Sequence, residues 1–416
     1  MLRSHEMDHD VTRAAERVAL TLAATRDIVR ERVDDAIPPT WSEARGYTRF
    51  LLELSDAQLA RCEMEGLAFA LPDLRGAPES LRELAAEVRA SSELPRLLAL
   101  SAERSDEDYR GVAARKREQV DRLLGALAPL ARSAERIVDV GAGSGHFARL
   151  AAEHFSRAVL GLERDGARVE SARERASAQS SSFRAEFTIV DAGREPLALS
   201  AFDLAIGLHA CGALGDSLVQ AVAESGASLA LVSCCLQKIG ASTRAPLSRA
   251  GIELAQETLG LSNLTSQAVG IEASIELTLQ GREARYALRR LLRARGLDVP
   301  PGAEMRGINR RQALNGLRGI ATRALAARQQ PPPTSAEILE HERGARAEYG
   351  LVRRLSLPRN MLSRTVELGV VLDRAARLVE AGFAVRVALA FERAVTPRNI
   401  VLFASRDPKA LPSLAQ

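Results

Sequence analysis

IVDVGAGSGHF, residues 137–147, sets three glycines at alternate positions directly after a short apolar run. Ile137, Val138 and Val140 have the β-branched character of a buried strand, and the following HFARLAAEHF (146–155) has helical periodicity. Gly141, Gly143 and Gly145 therefore occupy a strand-to-helix turn, where backbone N–H groups at a helix start can approach a ligand closely. The spacing selects among ligands. The dinucleotide pattern G-x-G-x-x-G needs a third glycine under the pyrophosphate, and counting from Gly141 that position is His146. No Walker lysine follows either. The turn suits a ligand without phosphates whose ribose and amino-acid parts lie against the backbone.

Outward from this turn, strand and helix signals alternate. RIVDV, AVLGLE, FTIVD, FDLAIGLH and SLALVSCC are short apolar runs with helical or turn-rich connections between them, which predicts a parallel sheet covered on both faces. The alternation stops after Cys235. Residues 241–365 read as a helical, arginine-rich insertion broken by QQPPPTS at 329–335. A helix, TVELGVVLDRAARLVEAG, then leads to FAVRVALAFE and NIVLFASR, which the short turn RAVTPR must join in antiparallel fashion. The expected organisation is a helical N-terminal region over 1–110, a core with strands one to five over 111–240, the insertion over 241–365, and the end of the core over 366–416. The fold class is α/β: a Rossmann-like, seven-stranded sheet, mostly parallel with an antiparallel last strand. That is the architecture of class I S-adenosylmethionine-dependent methyltransferases.

S-adenosylmethionine is the phosphate-free ligand that this turn implies. Glu163 ends the second strand, where a carboxylate can accept hydrogen bonds from both ribose hydroxyls. Asp191, ending FTIVD, is placed to meet the adenine amino group. Asp139 would orient the glycine loop or reach the ligand's ammonium group. Each of these carboxylates has an alternative use as a helix N-cap. Ala142, Ala192 and Leu208 complete the expected cofactor-binding set with Gly141, Gly143 and Gly145.

The carboxyl ends of the fourth and fifth strands deliver GLHACG (207–212) and SCCLQK (233–238) to the edge where open α/β sheets react. His209 is the candidate catalytic residue, because an imidazole titrates near neutrality and can deprotonate an acceptor, although a structural histidine would look the same. Cys211, Cys234 and Cys235 lie nearby. Adjacent cysteines rarely share one ion and no C-x-x-C is present, so no metal is expected and the three read as small apolar packing.

Composition narrows the class. The 416 residues are 46% hydrophobic, enough for a sizeable core. Four cysteines, unevenly spread, together with the lack of a signal-like or membrane-length apolar run, point to a reducing cytoplasm and no membrane span. The net charge is only +4, and all but Lys116, Lys238 and Lys409 of the 57 basic residues are arginine.

VDVGAGSGHFARLAA, GLHACGALGDSL, VSCCLQKI, APLS, VVLDRAARLVEAG and TPRNIVLFASR together resemble the methyltransferase domain of the methyltransferase-like protein twenty-five group. The same domain occurs in the glutathione S-transferase C-terminal-domain-containing proteins and, more remotely, in tRNA acceptor-stem 2′-O-methyltransferases. The resemblance covers about 115–250 and 365–407. ARKREQV approximates the basic stretch that family carries before its first strand, with Arg115, Lys116 and Glu118. The family's aromatic residue after the double cysteine is Leu236 here, a departure that removes a stacking group. The resemblance implies methyl transfer from S-adenosylmethionine without fixing the acceptor.

Residues 281–330 hold twelve arginines against Glu283, Asp298 and Glu304, a net of +9 (12 − 3). Such a patch is the footprint of a phosphate-binding surface, which makes RNA the expected acceptor. Against this, only Tyr286 in that stretch could stack on a base. A protein or small-molecule acceptor, or a methyltransferase-like binding module without turnover, are the alternatives.

Overall fold

The computed structural model describes residues 2–98, 114–177, 183–266, 272–299, 302–392, 396 and 398–415. The polar link SAERSDEDYRG and part of the RAVTPR turn lie outside the described residues. The chain forms two compact units. One comprises Met1–Arg26, Ala90–Ser266 and Ser363–Gln416; the other comprises Asp27–Arg89 and Gln267–Leu362. The N-terminal region and the stretch 241–365 therefore each contribute to both units.

The first unit carries the sheet. Its longer helices are α1 (Leu2–Ala24), α2 (Ala114–Ser133), α3 (His146–Phe155), α4 (Gly166–Ser177), α5 (Gly212–Ser225) and α6 (Ser363–Glu380). The strands of its main sheet are β1 (Arg136–Val140), β2 (Ala158–Glu163), β3 (Ala185–Ile189), β4 (Asp203–Ala210), β5 (Ser228–Ser233), β6 (Ala384–Leu389) and β7 (Ile400–Ser405). They lie in the order β3-β2-β1-β4-β5-β7-β6. The first five pair in parallel, and β7 runs antiparallel to both β5 and β6.

All seven expected strands form, because runs such as SLALVS and IVLFAS are buried almost end to end, as a sheet covered on both faces requires. Only the edge strand β3 leaves alternate positions exposed. Two strand ends differ from expectation. β3 stops at Ile189, and Asp191 instead sits in a turn where its carboxylate accepts the Gly193 N–H at 3.2 Å. β5 stops at Ser233, so the cysteine pair begins the following loop. Among the described residues no helix is long and apolar enough to cross a membrane.

In the second unit the helices Glu272–Ala294 and Ser335–Met361 pack together, burying Leu288, Leu291, Leu292, Ala345 and Leu355. The proline run separates helices as expected. Thr334 restarts the chain through a capping box, accepting the Glu337 N–H while Glu337 accepts that of Thr334.

Candidate active site

The turn between β1 and α3 is closed by backbone bonds. The Gly141 and Ala142 N–H groups donate to the Leu162 carbonyl at 2.8 and 3.0 Å, joining the turn to the end of β2. Gly143 and Gly145 have φ of +57° and +74°, which costs a residue with a side chain roughly 1–2 kcal/mol. Their surroundings differ. A Cβ on Gly145 would lie 2.5 Å from the Phe187 ring of β3 and 2.9 Å from Ala172 of α4, whereas one on Gly143 would meet nothing within 4 Å. Gly145 thus permits the helix to pack on the sheet, the task a dinucleotide fold gives to a glycine one position later. Gly143 borders open space.

Glu163, 8% exposed, stands at the carboxyl end of β2. One oxygen accepts the Gly143 N–H at 3.0 Å, and the other accepts those of Arg164 and Asp165 at 3.0 and 3.1 Å. A carboxylate has about four acceptor positions, so three bonds leave capacity for a ligand hydroxyl. Glu163 therefore also braces the glycine loop, a role its position at a strand end did not reveal.

Asp139, on β1, is 2% exposed, and its Oδ2 is buried without a hydrogen-bond partner. Burial pushes its carboxyl up to about 7; Lys116 opposes the rise and Glu163 adds to it. Lys116 opens α2 and is exposed, so the basic stretch before the first strand acts electrostatically on this centre. His146, first residue of α3, was noticed in the sequence only as the place where a glycine is missing. Its Nδ1 is buried without a partner, and burial, with Arg175, Lys116 and Arg149, holds the imidazole below its usual range. The signal available in sequence was an ionisable residue directly after the glycine turn. Asp191 is half-buried, with Arg194 at 3.8 Å, and Ala192 is buried while Leu208 is partly so. Asp191 caps its own turn, since no helix follows it before β4.

That helix-free connection leaves part of α5 uncovered. A cavity of about 630 Å³ is lined there by Arg194, Glu195, Asp216, Gln220 and Glu224, and by no residue of the glycine loop.

On β4, Leu208 pairs with Val232 but Ala210 pairs with Ser233, so His209 is an extra residue in the ladder. Bulges of this kind re-aim side chains and are frequent beside active sites. The side chain of His209 lies outside the described residues. The one-residue shift also sets Cys211 opposite Cys234, and the two are joined by a disulfide with a Cα–Cα distance of 5.1 Å. This corrects the reading of these cysteines as apolar packing. Cys235 joins them: the three sulfurs lie within 4.8 Å of one another. Leu236 is 1% exposed, so the position where the resembled family has an aromatic residue faces the core here.

A buried arginine holds this edge together. Arg374 of α6 is fully buried and donates to Asp216 at 2.8 Å, to Ser233 Oγ at 2.6 Å and to the Gly212 carbonyl at 2.7 Å. Arg244 adds a two-bond fork on Asp216 at 2.8 and 2.9 Å and reaches Asp373 at 2.8 Å. Asp373 in turn accepts the N–H groups of Leu247 and Ser248. No short motif announces this network, because its members come from four distant stretches.

Residues 115–242 match the model of a family described as a methyltransferase domain. The 3-2-1-4-5-7-6 strand order around this stretch is the Rossmann-like arrangement of the class I methyltransferase fold. Solved structures with similarity to it include a TehB-like SAM-dependent methyltransferase from Corynebacterium glutamicum, at 14% identity over 25% of this chain and 61% of that one, with a TM-score of 0.21. SAM-dependent methyltransferases from Thiobacillus denitrificans (23% identity, 26% and 46% coverage, TM-score 0.22) and Geobacter sulfurreducens (20%, 26% and 46%, 0.23) are others, both in complex with S-adenosyl-L-homocysteine. The similarity spans 46% to 61% of the length of these three chains. None of the curated proteins matches the chain.

Proposed function

We propose that the protein transfers a methyl group from S-adenosylmethionine to RNA, within the group that the GLHACG and SCC stretches resemble. The observation that carries the cofactor half is Asp139, a buried carboxylate with an unpartnered oxygen on the strand that leads into the glycine turn. A ligand ammonium supplies the missing partner. In this reading Glu163 accepts a ribose hydroxyl, and Asp191 and Ala192 meet the adenine. Gly141, Ala142, Gly143 and Gly145 form the floor, and Leu208 borders the methyl. The ligand brings an electrophilic methyl on a sulfonium sulfur. His209, at the register shift of β4, would take the proton of the acceptor's hydroxyl or amine.

The cofactor site has a pH signature. Because burial raises the Asp139 pKa, its neutral form stabilises the ligand-free protein fully below about pH 4, and that contribution is lost as pH rises through 7. A bound ammonium favours the ionised form. Affinity for S-adenosylhomocysteine, followed by calorimetry, should therefore rise between pH 5.5 and 7.5, by up to about tenfold per unit below 7, and Asp139→Asn should flatten the profile. Gly143→Val should weaken binding at least tenfold. Glu163→Gln, which keeps one acceptor oxygen for the loop, is a better probe than alanine, whose loop N–H groups would be orphaned at about 1–3 kcal/mol each. A pH-independent affinity in the wild type would remove the role of Asp139.

The RNA half rests on a subset of the arginines in 281–330. Arg289 pairs with Asp34, Arg290 with Glu348, Arg293 with Asp35 at 3.9 Å, Arg285 with Glu304 at 2.9 Å and Arg295 with Glu337 at 2.8 Å. These charges are neutralised within their own unit. Tyr286 is 2% exposed and donates to Glu348, so it offers no stacking face. Arg306, Arg318 and Arg323 remain exposed and are the proposed phosphate contacts. Reversing Arg289, Arg290 and Arg293 together should lower Tm, through a loss of roughly 1–3 kcal/mol from partly buried pairs, and leave RNA affinity unchanged. Reversing Arg306, Arg318 and Arg323 should weaken RNA binding and its salt dependence, by a slope of about 0.7–0.9 per lost contact, at constant Tm. Incubation with labelled S-adenosylmethionine and separated RNA, protein and metabolite fractions tests the acceptor. Label entering protein or metabolites in place of RNA overturns that half alone.

A further inference from the structure

The three-cysteine cluster at the carboxyl edge of β4 and β5 belongs to no step derived so far. Two of its sulfurs are already bonded to each other, and the third, on Cys235, is a free thiol within 4.8 Å of both. The segments it joins are otherwise fixed. Arg374 binds Gly212 and Ser233, the immediate neighbours of Cys211 and Cys234. The Lys238 carbonyl accepts the Ala213 N–H at 3.0 Å and would lie 2.0 Å from a Cβ on Gly212. The two cysteines are thus presented to each other by groups that do not depend on the bond. Cys211 also lies only two residues beyond the bulge at His209.

The structure assigns Cys211, Cys234 and Cys235 to a thiol–disulfide exchange site that takes low-molecular-weight disulfides of the glutathione type and closes the acceptor side of the crevice. The Cys234 thiolate attacks one sulfur of the small disulfide, forming a mixed disulfide and expelling one thiolate. The Cys211 thiolate then attacks the Cys234 sulfur, forming the intramolecular bond and expelling the second. Two electrons and two protons leave the protein, and the small disulfide becomes two thiols. The Cys235 thiolate can attack the Cys211 sulfur and release Cys234, which gives an incoming thiol a second route to reopening. A covalent tie between the loops after β4 and β5 narrows the mouth through which an acceptor reaches His209. The glycine turn and Glu163 lie on β1 and β2 and are untouched.

The effect on turnover rests on the methyl-transfer reading; the bond chemistry does not. The full-length protein should be equilibrated with oxidised glutathione, then with excess dithiothreitol, and its thiols counted after denaturation. The chain has four cysteines, so the count should fall from four to two and return to four. Oxidation should lower methyl transfer at least tenfold while S-adenosylhomocysteine affinity stays within twofold. Cys211→Ser, which removes the sulfur common to both bonds, should make turnover insensitive to oxidised glutathione relative to its own reduced state, and Cys235→Ser should slow reopening. Four titratable thiols after treatment overturn the proposal, as does a reduced protein holding one zinc ion that blocks oxidation. Equal turnover in the two states overturns the closure, and absent turnover with a reversible thiol count overturns the methyl-transfer reading alone.

Discussion

Replacing Arg374 with alanine should cost about 3–5 kcal/mol of stability, because it leaves the partly buried Asp216 carboxylate short of one of its two guanidinium partners and orphans Ser233 Oγ and the Gly212 carbonyl. For a unit of this size that corresponds to a fall in Tm of roughly 6–20 °C by calorimetry. Lysine should restore only a fraction, since a single ammonium cannot reach three acceptors in a planar fork. Arg374 and Arg244 hold Asp216 below the usual carboxylate range against the opposing effect of burial. The stability this gives is present above the ordinary aspartate pKa and is lost as pH falls through the lowered one. The Arg374→Ala loss should therefore shrink in acid. A Tm within two degrees of the wild type at pH 7, or a pH-independent difference, would show that the network relaxes around the deletion.

His209→Ala should lower turnover by roughly 10² to 10⁴ with S-adenosylhomocysteine affinity nearly unchanged. The extra residue between Leu208 and Ala210 means that the β4 backbone departs from the ladder at this position, and the residues on either side of it remain paired to β5. If His209 is the base, the pH profile of the wild type should have an ascending limb that the alanine variant lacks. A variant with full turnover, or one whose rate falls without any change in the limb, would leave the bulge with a packing role only.

Much of the fold was legible before any coordinates. Runs such as LALV in β5 and IVLFA in β7 are continuously apolar, the composition favoured by a strand buried on both faces. A turn as short as RAVTPR allows only an antiparallel pair, so the last two strands followed from chain length. The glycine turn was equally local, since positive φ and close approach leave a mark on residue type at adjacent positions.

What the sequence could not supply was pairing between distant residues. Arg289 and Asp34 lie 255 residues apart, and nothing in a run of arginines distinguishes a charge already neutralised from one turned to solvent. The twelve arginines counted in 281–330 are therefore not twelve free charges, since Arg285, Arg289, Arg290, Arg293 and Arg295 are paired with carboxylates. Cys211 and Cys234 were read as packing because their separation along the chain says nothing about a bulge that shifts β4 by one residue against β5. Register across neighbouring strands, and the partner each buried charge finds, are set by how whole elements pack. The sequence by itself determined the strands, their order of appearance and the glycine turn, because those obey local rules of burial and backbone geometry. The ion pairs, the disulfide, the Arg374 clamp and the unpartnered oxygen of Asp139 were decided only by the tertiary structure, because each depends on distances between elements that packing alone fixes.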